Sequence, residues 1–183
     1  MRAILESASG AARRPAVNDR LESNIDGLYI AGDLAGAPVV KLAMEQGYQV
    51  AREILAQPDA RGAGPEVLDV VVAGAGAAGL NCALELQAEG LRVLVLEKST
   101  LAATIEDFPD GKWIYAEPES RANQGRLWLE GATKEDLLAR WRGQVDDAHL
   151  TVRSGEPVTA LIRHRAGGFD VKTPKGAYAA RRF

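Results

Sequence analysis

The sequence has few of the residues that bind metals or form disulfides. It contains one cysteine and two histidines. A single cysteine excludes an internal disulfide and a CxxC redox pair, and two histidines alone do not make a metal cluster. We therefore expect no metal site.

An excess of positive charge and a long apolar run are also missing. Lys and Arg number 22 against 25 Asp and Glu, a net charge of −3, which argues against binding nucleic acid or a membrane surface. The apolar runs have strand length and are too short to span a bilayer. Residues 1–15, MRAILESASGAARRP, lack the apolar core of a signal peptide. We expect a protein of the reducing cytoplasm that crosses no membrane.

Residues 69–97 carry the clearest pattern in the chain. Residues 69–73, DVVVA, contain a continuous run of β-branched valines typical of a strand buried on both faces of a parallel sheet. Residues Ala77 to Glu89 favour a helix, and LRVLVLE after Gly90 predicts a second buried strand that ends at Glu97. This is a β-α-β unit of the length that the dinucleotide-binding fingerprint requires.

The turn after the first predicted strand has the spacing G-x-G-x-x-G. Gly74 allows the tight turn, Gly76 lets the backbone approach a pyrophosphate, and Gly79 lets the helix pack closely on the sheet. The helix start at Ala77 and Ala78 would offer backbone N–H groups and a positive dipole end to phosphates. The turn therefore predicts nucleotide binding.

Glu97 stands where the fingerprint places an acid. A carboxylate at this strand end accepts hydrogen bonds from both ribose hydroxyls of an adenosine and repels a 2′-phosphate. The sequence therefore favours FAD or NAD over NADP.

Residues 70–98, VVVAGAGAAGLNCALELQAEGLRVLVLEK, resemble the FAD-binding opening of the two-dinucleotide-domain flavoproteins. That family includes thioredoxin reductase-like and glutathione reductase-like enzymes, and in it an acid followed by a basic residue, here Glu97-Lys98, commonly marks the FAD site. The resemblance also implies that the backbone of Val158 contacts the adenine and that an antiparallel β-meander ends the chain. It implies NADH or NADPH as electron donor and a small-molecule or protein redox substrate, and it is compatible with a homodimer.

A second stretch, GLYIAGD at residues 27–33, resembles the last strand of such an FAD domain. The resemblance implies that Asp33 accepts a hydrogen bond from a ribityl hydroxyl, while the backbone beside Gly32 approaches the pyrophosphate. The predicted helix in residues 37–55 would start at the flavin ring. The expected cofactor contacts are therefore Gly74, Ala75, Gly76, Ala77, Ala78, Gly79, Glu97, Lys98, Val158, Gly32 and Asp33.

The motif that closes an FAD domain, residues 27–33, thus precedes the motif that opens it, residues 70–98. We call them the closing motif and the opening motif, and two arrangements explain their order. In the first, residues 1–56 are the tail of an upstream unit, 57–67 are a linker, and 68–183 begin a second, incomplete domain. In the second, residues 1–56 are a rearranged element that serves the same cofactor as 68–183. We favour the first, because the resemblance implies a further core strand after the meander and the closing strand would lack this neighbour. Deletion of residues 1–60 would then leave nucleotide affinity unchanged.

The expected fold class is α/β: a Rossmann-like FAD/NAD(P)-binding domain with a parallel sheet and an antiparallel β-meander. The expected function is that of an FAD-dependent pyridine-nucleotide oxidoreductase, or part of one. The alternative is a non-catalytic module that binds FAD or NAD in a structural or sensory role. No residue has the character of a catalytic acid, base or thiol, so the sequence predicts no catalytic residue.

Overall fold

The structure, a computed structural model, describes residues 14–61, 64 and 66–183. The first part of the predicted 1–56 region and three positions of the linker lie outside the described residues. We call residues 14–61 the N-terminal segment and residues 66–183 the C-terminal segment.

The N-terminal segment contains a short 3₁₀ helix, Gly32–Ala35, and a long helix α1, Val40–Leu55. The C-terminal segment opens with the predicted unit: β1 (Leu68–Ala73), α2 (Ala77–Ala88) and β2 (Val93–Leu96). It continues with α3 (Ala103–Glu106), β3 (Trp113–Ile114), β4 (Ala132–Thr133), α4 (Lys134–Asp147), β5 (Thr151–Arg153), β6 (Ala160–Arg163), β7 (Phe169–Thr173) and β8 (Gly176–Arg182).

The main sheet has six strands in the order β5-β2-β1-β8-β7-β6. β5, β2, β1 and β8 run parallel, and β6, β7 and β8 form the antiparallel meander. Consecutive parallel strands β1 and β2 are joined through α2, as a parallel connection requires. The predicted α/β, Rossmann-like fold with a β-meander is confirmed.

β8 belongs to both parts of the sheet, which the sequence did not predict. Ala180 pairs with Phe169 of β7 on one side and with Leu68 of β1 on the other. We expected the place beside β1 to be empty, because a further core strand after the meander is missing. The last meander strand, β8, occupies that place. A strand of seven residues is long enough to pair in this way on both sides.

Apolar side chains bury both faces of this sheet. On one face, α1, α2 and α4 pack together around Met44, Leu80, Leu137 and Trp141, each at most 1% exposed. On the other face the meander covers Val71 and its neighbours. Burial of each large side chain stabilises the fold by roughly 1.5–3 kcal/mol, so this core holds the ends of β1 and β2 in place.

Candidate functional site

The glycine turn between β1 and α2 has the geometry that the fingerprint needs. Gly74 has φ = +106°, a left-handed conformation that side chains disfavour. A Cβ on Gly79 would lie 2.0 Å from the carbonyl oxygen of Gly74, so only glycine allows the helix to pack this closely. A Cβ on Gly76 would meet nothing within 4 Å. The backbone at Gly76 therefore faces open space, as a ligand-binding turn requires.

Glu97 lies at the end of β2 and is only 7% exposed. Its Oε2 accepts a hydrogen bond from the backbone N–H of Ala75 at 2.8 Å, and its Oε1 accepts one from the N–H of Ser99 at 2.8 Å. These bonds fix the carboxylate beside the glycine turn. Each carboxylate oxygen retains a further lone pair for another donor.

The Gly32-Asp33 pair lines the same cavity. Gly32 has φ = +78°, and its N–H donates to Oε1 of Gln46 in α1 at 2.8 Å. A Cβ on Gly32 would be 3.4 Å from Cβ of Ala78, so the pair stands directly over the first turn of α2. Asp33 is exposed to the cavity.

Two helices begin at this cavity. α1 starts after Val39 and α2 starts after Gly76, and neither start has a side-chain cap. First-turn N–H groups of a helix have no partner within the helix, and the dipole makes that end positive. The two helix starts therefore present uncapped backbone donors to the same space, which suits an anionic group.

The cavity has a volume of about 310 Å³ and gathers most of the predicted site. Nine of the eleven predicted contacts line it: Gly32, Asp33, Gly74, Gly76, Ala77, Ala78, Gly79, Glu97 and Lys98. A larger groove of about 610 Å³ runs along the other side of α1, but none of the predicted contacts lines it. We therefore take the smaller cavity as the candidate site.

The two remaining predicted residues do not line the cavity. Ala75 is fully buried, and its backbone joins Glu97 on one side and Ala102 on the other. Val158 is partly buried against the core of the meander face. It stands two positions after Glu156, whose N–H donates to the carbonyl oxygen of Glu97 at 2.8 Å. A contact between the Val158 backbone and an adenine stays a prediction.

Sequence reasoning missed the third wall, which α3 supplies. Ala103, Thr104 and Ile105 line the cavity together with Ala102 before the helix and Phe108 after it. The N–H of Ala102 donates to the carbonyl oxygen of Ala75 at 2.9 Å, which attaches α3 to the glycine turn. A helix of four residues is too short for its periodicity to be recognised in a sequence.

Within the described residues, no group of three or more His, Cys, Asp and Glu side chains could hold a metal ion. No helix in that same part of the chain combines the length and the apolar character needed to cross a bilayer.

The parallel sheet, the glycine turn and the acid at the end of β2 define an α/β dinucleotide-binding protein. The chain belongs to the pyridine nucleotide-disulphide oxidoreductase family, which matches residues 71–183. No curated protein matches the chain.

Solved structures with this fold share little sequence with the chain. The bacillithiol disulfide reductase Bdr (YpdA) from Staphylococcus aureus is 22% identical, with a TM-score of 0.50 over 61% of this chain and 35% of its own. A flavin monooxygenase from Stenotrophomonas maltophilia is 18% identical, with a TM-score of 0.51 over 63% of this chain and 37% of its own. A steroid monooxygenase bound to NADP is 23% identical, with a TM-score of 0.51 over 62% of this chain and 25% of its own. The chain thus spans about a third of these proteins or less.

Proposed function

We propose that the chain is the FAD-binding part of an FAD-dependent oxidoreductase that takes electrons from NADH or NADPH. One observation carries the proposal. The glycine turn opens onto a cavity that also exposes the carboxylate of Glu97 at the adjacent strand end. Membership of the pyridine nucleotide-disulphide oxidoreductase family supports the same function.

The residues of the cavity fit FAD. The open space at Gly76 leaves room for a pyrophosphate against the backbone, and the uncapped start of α2 offers N–H donors to it. Glu97 would accept hydrogen bonds from the ribose hydroxyls of the adenosine, and its charge disfavours a 2′-phosphate. FAD has no 2′-phosphate, so this set of groups selects FAD or NAD against NADP at this cavity.

The protein's role in the reaction is to bind and orient the cofactor. FAD supplies the electron-transfer chemistry when it is bound. Glu97 would hold the adenosine end, the first turn of α2 would hold the phosphates, and Asp33 would accept a hydrogen bond near the middle of the cofactor. The cavity lining contains no cysteine or histidine, so we assign no catalytic residue.

A nicotinamide electron donor is the less direct part of the proposal. The steroid monooxygenase of the same fold is described with bound NADP, which supports a nicotinamide as the partner of the flavin. A small molecule or a protein would be the redox substrate. A cytoplasmic location, expected from the sequence, stays a prediction, and so does a homodimer, with which the resemblance is compatible.

The test is the visible spectrum of the purified full chain. We expect flavin absorbance after purification or after loading with FAD and removal of the excess. Anaerobic addition of NADH or NADPH should then bleach it. A chain that retains no FAD when FAD is supplied in excess contradicts the proposal.

A second function, that of a non-catalytic FAD- or NAD-binding module, is favoured by the absence of thiol and imidazole groups from the cavity lining. The same experiment separates the two. Retention of FAD without bleaching by either nicotinamide, in a chain whose flavin is bleached by dithionite, favours the module.

A further inference from the structure

We propose that the N-terminal and C-terminal segments form one FAD-binding domain in which the closing motif precedes the opening motif. A single cofactor would then contact Asp33 of the first segment and Glu97 of the second. The inference rests on the proposed function, because it assumes that the cavity lined by these two residues binds FAD.

The first support is the sheet. The N–H of Tyr29 donates to the carbonyl oxygen of Phe183 at 2.8 Å, and the N–H of Phe183 donates to the carbonyl oxygen of Gly27 at 2.9 Å. The two bonds join Phe183 to Gly27 and Tyr29, which are two positions apart, as between neighbouring parallel strands. The stretch that leads into Gly32-Asp33 therefore has a neighbour in Phe183, directly after β8, and β8 itself lies beside β1.

The second support is the contact between α1 and α2. A Cβ on Gly47 would lie 2.1 Å from the carbonyl oxygen of Ala78 and 2.9 Å from its carbonyl carbon. Only glycine allows a backbone approach of this kind. α1 thus packs onto the first turn of α2, the same turn that would bind the pyrophosphate.

The third support is a set of buried polar contacts between the segments. Asn81 of α2 is fully buried, and its Nδ2 donates to the carbonyl oxygen of Met44 in α1 at 2.8 Å. Lys41 of α1 is 7% exposed, and its Nζ donates to the carbonyl oxygens of Ala116 at 3.0 Å and Pro118 at 2.9 Å. Buried polar groups in a folded domain are hydrogen-bonded, and these two side chains find their partners across the contact between the segments.

The fourth support lies after α1, where the chain turns towards β1. Arg182 of β8 is 4% exposed and donates through Nε to Oε1 of Gln57 at 2.8 Å. Its Nη2 donates to Oδ1 of Asp59 at 2.6 Å, and Arg181 forms an ion pair with the same carboxylate. The start of the linker is therefore attached to the sheet, which a tether between two independent units would not require.

A matched pair of glycine substitutions in the full chain tests the assembly. Gly47→Ala places a methyl group into the backbone of α2, while Gly143→Ala adds the same group in α4, where nothing lies within 4 Å. We expect Gly47→Ala to weaken FAD binding at least tenfold, measured by titration with flavin fluorescence, and Gly143→Ala to leave it unchanged. Equal affinities for Gly47→Ala and the wild type would overturn the proposal.

A second variant distinguishes a specific loss of FAD binding from a general loss of folding. Asp33 is exposed, so Asp33→Asn should leave the far-ultraviolet circular dichroism and the thermal midpoint unchanged. We expect FAD affinity to fall several-fold. A folded Asp33→Asn protein with wild-type affinity would overturn the proposal, whatever Gly47→Ala does.

The failure of this inference differs from the failure of the proposed function. If the wild-type chain binds no FAD, the proposed function is wrong. If the wild type binds FAD and Glu97→Gln weakens the binding while Asp33→Asn does not, the cofactor belongs to the C-terminal segment alone and only the single-domain assembly is wrong.

Discussion

Oε2 of Glu97 accepts a hydrogen bond of 2.8 Å from the backbone N–H of Ala75. The acid at the end of β2 is thereby attached to the turn that leads into α2. This bond holds the predicted ribose-binding group and the predicted pyrophosphate-binding turn in a fixed relation, and a rigid site loses less freedom when a cofactor binds.

Glu97→Ala should weaken FAD binding ten- to a hundredfold. The variant loses charged-acceptor hydrogen bonds to the ribose, worth about 1.5–3 kcal/mol. Glu89→Ala, an exposed acid at the end of α2, is the control and should bind as the wild type does. A titration with FAD measures both, and an unchanged dissociation constant for Glu97→Ala would remove this residue from the site.

Substitutions at two glycines of the turn should separate binding from folding. Gly76→Val should abolish FAD binding and leave the thermal midpoint close to that of the wild type, because its side chain enters open space. Gly79→Ala should instead lower the midpoint, because its Cβ would lie 2.0 Å from the carbonyl oxygen of Gly74. Thermal unfolding and FAD titration of both proteins check this. Copurification of Gly76→Val with its nucleotide would contradict the fingerprint interpretation.

Much of the C-terminal segment could be predicted because its signals are local. The continuous apolar run predicted β1, the glycine spacing predicted the turn, and Gly90 marked the end of α2. Each of these depends on residues that are neighbours in the chain. The antiparallel meander that the resemblance implied is formed by β6, β7 and β8.

The relation between the two segments could not be predicted, because it depends on residues far apart in sequence. Gly47 has no local role in α1, and its importance appears only where Ala78 packs against it. Likewise, Asn81 in the middle of a predicted helix gives no sign that it bonds to Met44. The residue type matters at both positions, but the reason for it lies in a contact that the local sequence does not reveal.

Cys82, the single cysteine, should be unreactive in the folded protein. It is buried in α2, and burial, with a smaller contribution from the charge of Glu85, raises the pKa of its thiol to about 12. The thiolate is the reactive form. A disulfide-exchange reagent at mildly alkaline pH should therefore label the chain only after denaturant unfolds it, with Cys82→Ser as the blank. Rapid labelling of the folded chain would contradict the burial of Cys82.

Glu156 joins the end of β5 to the meander and is 1% exposed. Its Oε1 accepts hydrogen bonds from the hydroxyls of Tyr178 at 2.6 Å and Thr173 at 2.8 Å. Arg153 and Lys175 each lie 3.9 Å from its Oε2. The bond from Tyr178, followed by the bond from Thr173 and the charges of Lys175 and Arg153, holds the pKa of Glu156 below its ordinary value despite the opposing effect of burial.

The stability that Glu156 confers should therefore depend on pH with a definite sign. A carboxyl whose pKa is lower in the folded state stabilises the fold fully above the pKa of an unfolded glutamate, ~4.3, and loses this effect as the pH falls through the folded value. The difference in unfolding free energy between wild type and Glu156→Gln should be constant near neutral pH and shrink on acidification. Tyr178→Phe removes the largest cause of the shift, so in that background the difference should be smaller near neutral pH and its decline should be complete at a higher pH. Denaturant unfolding across this range measures both, and a difference that does not change with pH would show that Glu156 titrates alike in the folded and unfolded chain.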